Sequence, residues 1–225
     1  MDFFSVHIRK KYLYMTMMAG LIVIYFLIFN EMVDELKEGE LIEFDKSVIE
    51  SIQSPFSEEF TKMATKITFF GSVIWIVTLV SIFSLFLFLL SKKHYALYLI
   101  LTSALGGGFN WGLKYLFQRE RPDIAPLLSV SGYSFPSGHS MASVILYGSI
   151  AVVCIRLIKN KYINGLIWLL AFISSLTIGW SRIYLGVHYP SDVVAGFVAG
   201  AAWLTISAWM LRYLEYKVPK KYRRE

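Results

Sequence analysis

Six apolar stretches, each close to the length of a bilayer crossing, decide what this chain can fold into. A helix needs about 20 largely apolar residues to span the hydrocarbon core. Such runs fall at Tyr12–Phe29, Ile67–Leu90, Tyr95–Phe117, Ser140–Leu157, Ile163–Val187 and Ser191–Leu214. Backbone polar groups in lipid must be satisfied within the protein, and a long apolar segment does that as a helix. The expected fold is therefore all-α, a six-span transmembrane helix bundle. The spans use nearly all of the 225 residues, so one membrane-embedded domain over residues 1–225 is predicted. Hydrophobic residues make up 56% of the chain and charged residues 17%, where a soluble domain carries about 25% charged residues. That excludes an ordinary soluble enzyme and a disordered chain. The first run ends in Asn30-Glu31 rather than at a small-residue cleavage site, which reads as a retained anchor. The single cysteine, Cys154, lies in an apolar run as a small core residue and excludes a disulfide framework.

The net charge of +6 is distributed as a topology signal. Arg9, Lys10 and Lys11 precede the first span, and Lys92 and Lys93 join the second to the third. Arg156, Lys159 and Lys161 join the fourth to the fifth, and Arg212, Lys217, Lys220, Lys221, Arg223 and Arg224 follow the sixth. The opposite connections are richer in acids. Lys and Arg mark cytoplasmic loops, so a multi-pass protein of the cell membrane is expected, with both termini inside. Basic residues that hug span ends, without interleaved aromatics, do not make a nucleic-acid surface.

The first outer connection, Glu31–Lys66, is long and acidic. Ile42, Phe44, Val48, Ile49, Ile52, Phe56 and Phe60 recur in it at near-helical spacing, which predicts an amphipathic helix on the outer membrane surface. Gly106, Gly107, Gly108 and Gly112 in the third span, and Ala195, Gly196, Ala199 and Gly200 in the sixth, form small faces for close helix packing. Such faces serve within a chain or between chains, so the oligomeric state stays open.

Three polar segments fall at the predicted outer ends of the spans. In Lys114-Tyr-Leu-Phe-Gln-Arg-Glu-Arg121-Pro122, Lys114 and Arg121 stand about two helical turns apart, which predicts that both share one helix face, and Pro122 is expected to stop the helix. A guanidinium fork and an ammonium together suit a phosphate. In Phe135-Pro-Ser137-Gly138-His139-Ser140, Ser137 can cap a helix whose free N–H groups attract an anion, Gly138 lets backbone approach a ligand, and His139 carries a transferable proton. In Ser181-Arg182 through His188-Tyr189-Pro190-Ser191-Asp192, Pro190 suits a first helical turn, and Asp192 can hold His188 Nδ1 so that Nε2 is free to attack. Two of the four histidines and three of the six prolines fall in these segments. Tyr133, Tyr184 and Tyr189 nearby read as interfacial belt residues.

The patterns K-x6-R-P, P-S-G-H and S-R-x5-H-x3-D resemble the three signature motifs of the type 2 phosphatidic acid phosphatase superfamily, and the six-span layout is similar to its integral-membrane bacterial branch. The resemblance implies a lipid phosphatase. Lys114, Arg121, Ser137, Gly138 and Arg182 would bind phosphate oxygens. His188 would be the nucleophile that forms a phosphohistidine, Asp192 its orienting carboxylate, and His139 the group that protonates the leaving oxygen and later activates water. Such chemistry needs His188 neutral and His139 protonated, hence a bell-shaped pH profile. No metal and no organic cofactor are expected. Arg119 and Glu120 occupy positions that the motif leaves free and read as structural. The substrates implied are membrane lipid phosphates or polyprenyl pyrophosphates: phosphatidylglycerophosphate, undecaprenyl pyrophosphate or phosphatidic acid. A lipid phosphotransferase on the same site, a vanadate-dependent peroxidase and a non-catalytic lipid-binding or transport protein are the alternatives.

Overall fold

The computed structural model describes residues 3–54, 56–123 and 126–217, with side chains from residue 12 onward. Lys220, Lys221, Arg223 and Arg224 of the basic tail lie outside the described residues, as do the side chains of Arg9, Lys10 and Lys11. Among the described residues all regular structure is helical. The helices are α1 (Phe3–Glu38), α2 (Leu41–Gln53), α3 (Glu58–Phe69), α4 (Val73–Leu89), α5 (Lys93–Phe117), α6 (Gly138–Leu157), α7 (Lys161–Tyr184) and α8 (Pro190–Lys217).

Four stretches are long and apolar enough to cross a membrane: Tyr12–Glu38 of α1, and α6, α7 and α8. The pair α3 and α4 makes a fifth if taken as one span, bent by 45° at its break. The bend splits the run expected at Ile67–Leu90, because Ser72 caps a new helix by accepting from Trp75 N. Helix α5 is 25 residues long, but Gly106, Gly107, Gly108, Asn110 and Lys114 dilute its apolar character below that of the other four. Large side chains stand outward along the bundle, among them Val73, Ile74, Leu89, Trp111 and Phe172. A belt of that extent needs an apolar surrounding.

Helix α6 is the axis of the bundle. It packs against α5, α7 and α8, while α1 lies along α8 and α4 along α5. Close approach of α6 and α8 depends on two glycines. A Cβ on Gly196 would stand 2.7 Å from the Ser137 carbonyl oxygen, and one on Gly200 would stand 2.9 Å from that of Met141. Gly106 fits tightly against Ile145 and Trp203, whereas Gly107, Gly108 and Gly112 face open space. One half of the interior is apolar and shared by α4, α5, α6 and α8, with Leu87, Tyr98, Leu99, Val153, Leu204 and Leu211 at its centre. The other end gathers the C-termini of α5 and α7 with the N-termini of α6 and α8, and the polar segments meet there.

The connection expected as one amphipathic helix is divided between α2 and α3. Of the apolar residues expected on its membrane face, Ile49 is buried against Ile183 and Val193, while Ile42, Phe44, Phe56 and Phe60 stay exposed. Both helices lean on the bundle: α2 on α7 and α8, and α3 on α7. Gln53 Nε2 donates to the Tyr184 carbonyl at 3.0 Å. Tyr184 itself is fully buried and stacks on Trp180, so it is a core residue and not a belt residue.

Candidate active site

The first polar segment does not stay helical to Pro122. Helix α5 ends at Phe117, and Gln118 takes a left-handed conformation at φ 48°. A non-glycine residue there carries strain, and the chain turns inward. Lys114 is thus on the helix and Arg121 beyond it, and tertiary contacts rather than a shared face bring the two together. Lys114 Nζ donates to the carbonyls of Tyr133 at 2.7 Å and Ser134 at 3.0 Å. Arg121 donates from Nε to Gly132 O at 2.9 Å and from Nη1 to Val187 O at 2.7 Å. Burial lowers the Arg121 pKa, with Asp192 opposing the shift.

The second segment starts α6. Ser137 is its N-cap, fully buried, and its Oγ accepts from Ser140 N at 3.4 Å and Ser140 Oγ at 2.9 Å. Ser137 N donates to the Asp192 carbonyl at 2.9 Å, which ties the start of α6 to the start of α8. Gly138 lies against Asn110 and Lys114 of α5. His139 is half-buried and has no hydrogen-bond partner among the described residues. Lys114, Arg121, Arg182 and His188 are its charged or titratable neighbours.

The third segment ends α7 and opens α8. Arg182, 3% exposed, donates from Nη1 to Thr68 Oγ1 of α3 at 2.8 Å. Its Nε is buried without a partner among the described residues. Gly186, at φ 69°, makes the turn that lets Val187 and His188 double back. Pro190 begins α8, and Asp192 lies in its first turn.

His188 Nδ1 lies 3.3 Å from Asp192 Oδ2, and His188 Nε2 lies 3.4 Å from Arg121 Nη1. The two neighbours settle the tautomer. An ionised carboxylate only accepts and a guanidinium only donates, so Nδ1 carries the proton and Nε2 presents its lone pair. Burial pushes the His188 pKa from 6.5 down to about 4, against the raising effect of Asp192. The ring is therefore neutral at pH 7. Asp192 Oδ2 also accepts from Tyr189 N at 3.0 Å, and its Oδ1 accepts from Arg119 Nη1 at 2.7 Å.

Arg119 does more than its position in the sequence suggests. Its Nη1 also donates to Ser191 Oγ at 2.8 Å, and its Nη2 donates to Asp45 Oδ2 of α2 at 2.8 Å. Asp45 is fully buried, and it also accepts from Ser191 N at 2.9 Å and Ser191 Oγ at 2.6 Å. One signal for Asp45 was present in the sequence. Ile42, Asp45, Ile49 and Ile52 fall on one helical stripe, and an acid on an apolar stripe requires a partner. Lys114, Arg121, Ser137, Gly138, His139, Arg182, His188 and Asp192 are all at this end of the bundle. Among the described residues no group of three or more His, Cys, Asp or Glu side chains is placed to hold a metal ion.

Comparison with known proteins agrees with the motifs. Residues 94–216 match the family described as the PAP2 superfamily. Phosphatidylglycerophosphatase B of Bacillus subtilis is 34% identical over 153 residues, 66% of this chain and 72% of that protein. Lipid A 4'-phosphatase of Bacteroides thetaiotaomicron is 31% identical over 185 residues, covering 74% and 73%. The crystal structure of the transmembrane PAP2 type phosphatidylglycerolphosphate phosphatase from Bacillus subtilis superposes with a TM-score of 0.77 at 27% identity, covering 88% of this chain and 98% of that one.

Proposed function

The chain belongs to the PAP2 superfamily, and from that premise we propose that it is a membrane lipid phosphatase that hydrolyses the terminal phosphate of phosphatidylglycerophosphate or undecaprenyl pyrophosphate on the outer face of the cell membrane. The observation that carries this reading is the buried, neutral His188, with Nδ1 on Asp192 and Nε2 beside the Arg121 guanidinium.

The lipid phosphate enters among Lys114, Arg121 and Arg182, and its oxygens draw Arg121 away from the Nε2 lone pair. The unpartnered Arg182 Nε supports a ligand oxygen at that point, because a buried donor left unsatisfied is costly. His188 Nε2 forms a bond to phosphorus while the bond from phosphorus to the leaving oxygen breaks. The cations stabilise charge on the phosphoryl group in flight. His139, which the bound phosphate anion must draw into its protonated form against the surrounding cations, gives its proton to the leaving oxygen and then takes one from the water that attacks the phosphohistidine. Inorganic phosphate departs, and His188 returns to its neutral form. Asp192 keeps Nδ1–H in place and offsets positive charge on the ring. Ser137 and Gly138 contribute the N-terminus of α6, where free N–H groups favour an anion. Three cationic side chains supply the electrostatics that a metal would otherwise provide, so the reaction is metal-independent.

In this reading α5 also crosses the membrane and the bent pair α3 and α4 makes one span, giving six spans in one domain over residues 1–225, and α2 lies at the outer interface. Phosphate release by the purified protein in detergent tests it, on phosphatidylglycerophosphate, undecaprenyl pyrophosphate and phosphatidic acid with EDTA present. Release that persists in EDTA and is lost in His188→Ala supports the mechanism, and the ranking names the substrate. Equal release by the variant overturns it.

A further inference from the structure

We propose that Asp45 and Arg119 are positioning residues for this reaction, holding Asp192, and through it His188, in the reactive geometry. The inference rests on His188 being the nucleophile. Neither residue is fixed by the three motifs, and they come from segments 74 positions apart.

The argument begins with Asp192. Its carboxylate is fully buried, and its two oxygens have separate duties. Oδ1 is held by Arg119 at 2.7 Å, and Oδ2 takes His188 Nδ1 at 3.3 Å and Tyr189 N at 3.0 Å. Held at both ends, the carboxylate cannot rotate away from the imidazole. Arg119 needs its own anchor to act in this way. Its second nitrogen is paired with Asp45 at 2.8 Å, and its guanidinium carbon sits 4.0 Å from the centre of the Tyr189 ring. One planar fork therefore bridges two buried carboxylates, a geometry that a lysine head cannot reproduce. Asp45 also takes both the N–H and the hydroxyl of Ser191, so the first turn of α8, which carries Asp192, is pinned from α2. Helix α2 thereby becomes part of the support of the catalytic carboxylate.

Charge as well as geometry depends on the pair. His188 is faced by Asp192 from α8, Arg182 from α7, Lys114 from α5, Arg121 from the segment after α5, and His139 from the start of α6. Arg119 and Asp45 stand behind Asp192. Loss of the Arg119 cation leaves Asp192 less balanced and favours the protonated ring. Loss of the Asp45 anion leaves Arg119 less offset and favours the neutral ring.

The test is histidine titration by NMR of 15N-histidine-labelled protein in detergent micelles. The chain has four histidines, and the His188 signal is assigned by its loss in His188→Ala. Arg119→Met should raise the His188 midpoint by about 1 pH unit, Asp45→Asn should lower it, and Arg119→Lys should return it to near the wild-type value. In phosphate-release assays Arg119→Met and Asp45→Asn should lower kcat by roughly tenfold or more, with KM within about threefold, because the phosphate-binding cations are untouched. Wild-type midpoints in both Arg119→Met and Asp45→Asn would overturn the proposal, whatever happens to kcat. If Arg119→Met does not fold, Asp45→Asn decides alone: a lowered midpoint upholds the linkage and an unchanged one ends it. Full activity in His188→Ala would instead sink the nucleophile reading, an outcome independent of the titration.

Discussion

In the proposed mechanism His188 attacks phosphorus only while it is neutral, and its surroundings keep it neutral well into acid. Burial sets its pKa at about 4 in the folded chain, against 6.5 for an ordinary imidazole. The acid limb of the pH profile therefore belongs well below the usual histidine range. Once the substrate's own ionisation is divided out, the acid limb of the kcat/KM bell should not set in until below about pH 5, while the limb on the other side belongs to His139. A fall centred on 6.5 would reveal a solvated ring. The same shift acts on stability with a definite sign. Between 6.5 and about 4 the unfolded chain binds a proton on this histidine and the folded chain does not. Stability should thus decline as pH drops through that window and level off below it. The thermal midpoint in detergent measures this, and His188→Gln should flatten the slope. Arg119 was harder to read at this scale. Its neighbour Arg121 carries the motif, and its partner Asp45 is remote in sequence, so a buried bridge between segments left no local pattern around Arg119.

Helices were legible where local chemistry ends them. Ser137 caps α6 and Pro190 opens α8, and both features are written in short range. The end of α5 was not legible, because a left-handed Gln118 rather than Pro122 stops it. The break between α3 and α4 had a local signal in Gly71-Ser72, but apolar residues on both sides of it read as one span. The small faces were visible as composition, but composition could not say which glycine meets a neighbour. The structure separates them and makes a paired test. Gly196→Ala would push a methyl against the Ser137 carbonyl at 2.7 Å. Backbone cannot swing aside as a side chain can, so α6 and α8 must part. The cost should be about 1–3 kcal/mol of stability, together with lost phosphatase activity, since Ser137, Gly138 and Asp192 all sit at that junction. Gly107→Ala adds its methyl in open space and should be neutral or stabilising by up to about 1 kcal/mol. Denaturation midpoints and turnover of the two variants, side by side, check both halves.

The whole molecule biases its charge by end, although Lys37, Lys46, Lys62 and Lys66 accompany the acids on the site's side and Glu215 the cations at the other. Lys92, Lys93, Arg156, Lys159, Lys161, Arg212 and Lys217 lie at the end remote from the site, while Asp34, Glu35, Glu38, Glu43, Glu58 and Glu59 lie on the site's side. Helix α1 shows how the two ends relate to a bilayer. Its 36 residues extend about 54 Å, well beyond a hydrocarbon core of about 30 Å, and its last two turns are acidic. If excess Lys and Arg in short connections stay in the cytoplasm, the proposed orientation follows, with the site outside, at the level where a lipid phosphate lies with its tail still in the membrane. Cysteine labelling decides the orientation. In a Cys154→Ser background, Ser129→Cys, in the segment between α5 and α6, should react with a membrane-impermeant maleimide on intact cells. Lys159→Cys, between α6 and α7, should react only after permeabilisation. The reverse pattern would place the cationic site on the cytoplasmic side, and its substrate would then have to come from lipids of the inner leaflet.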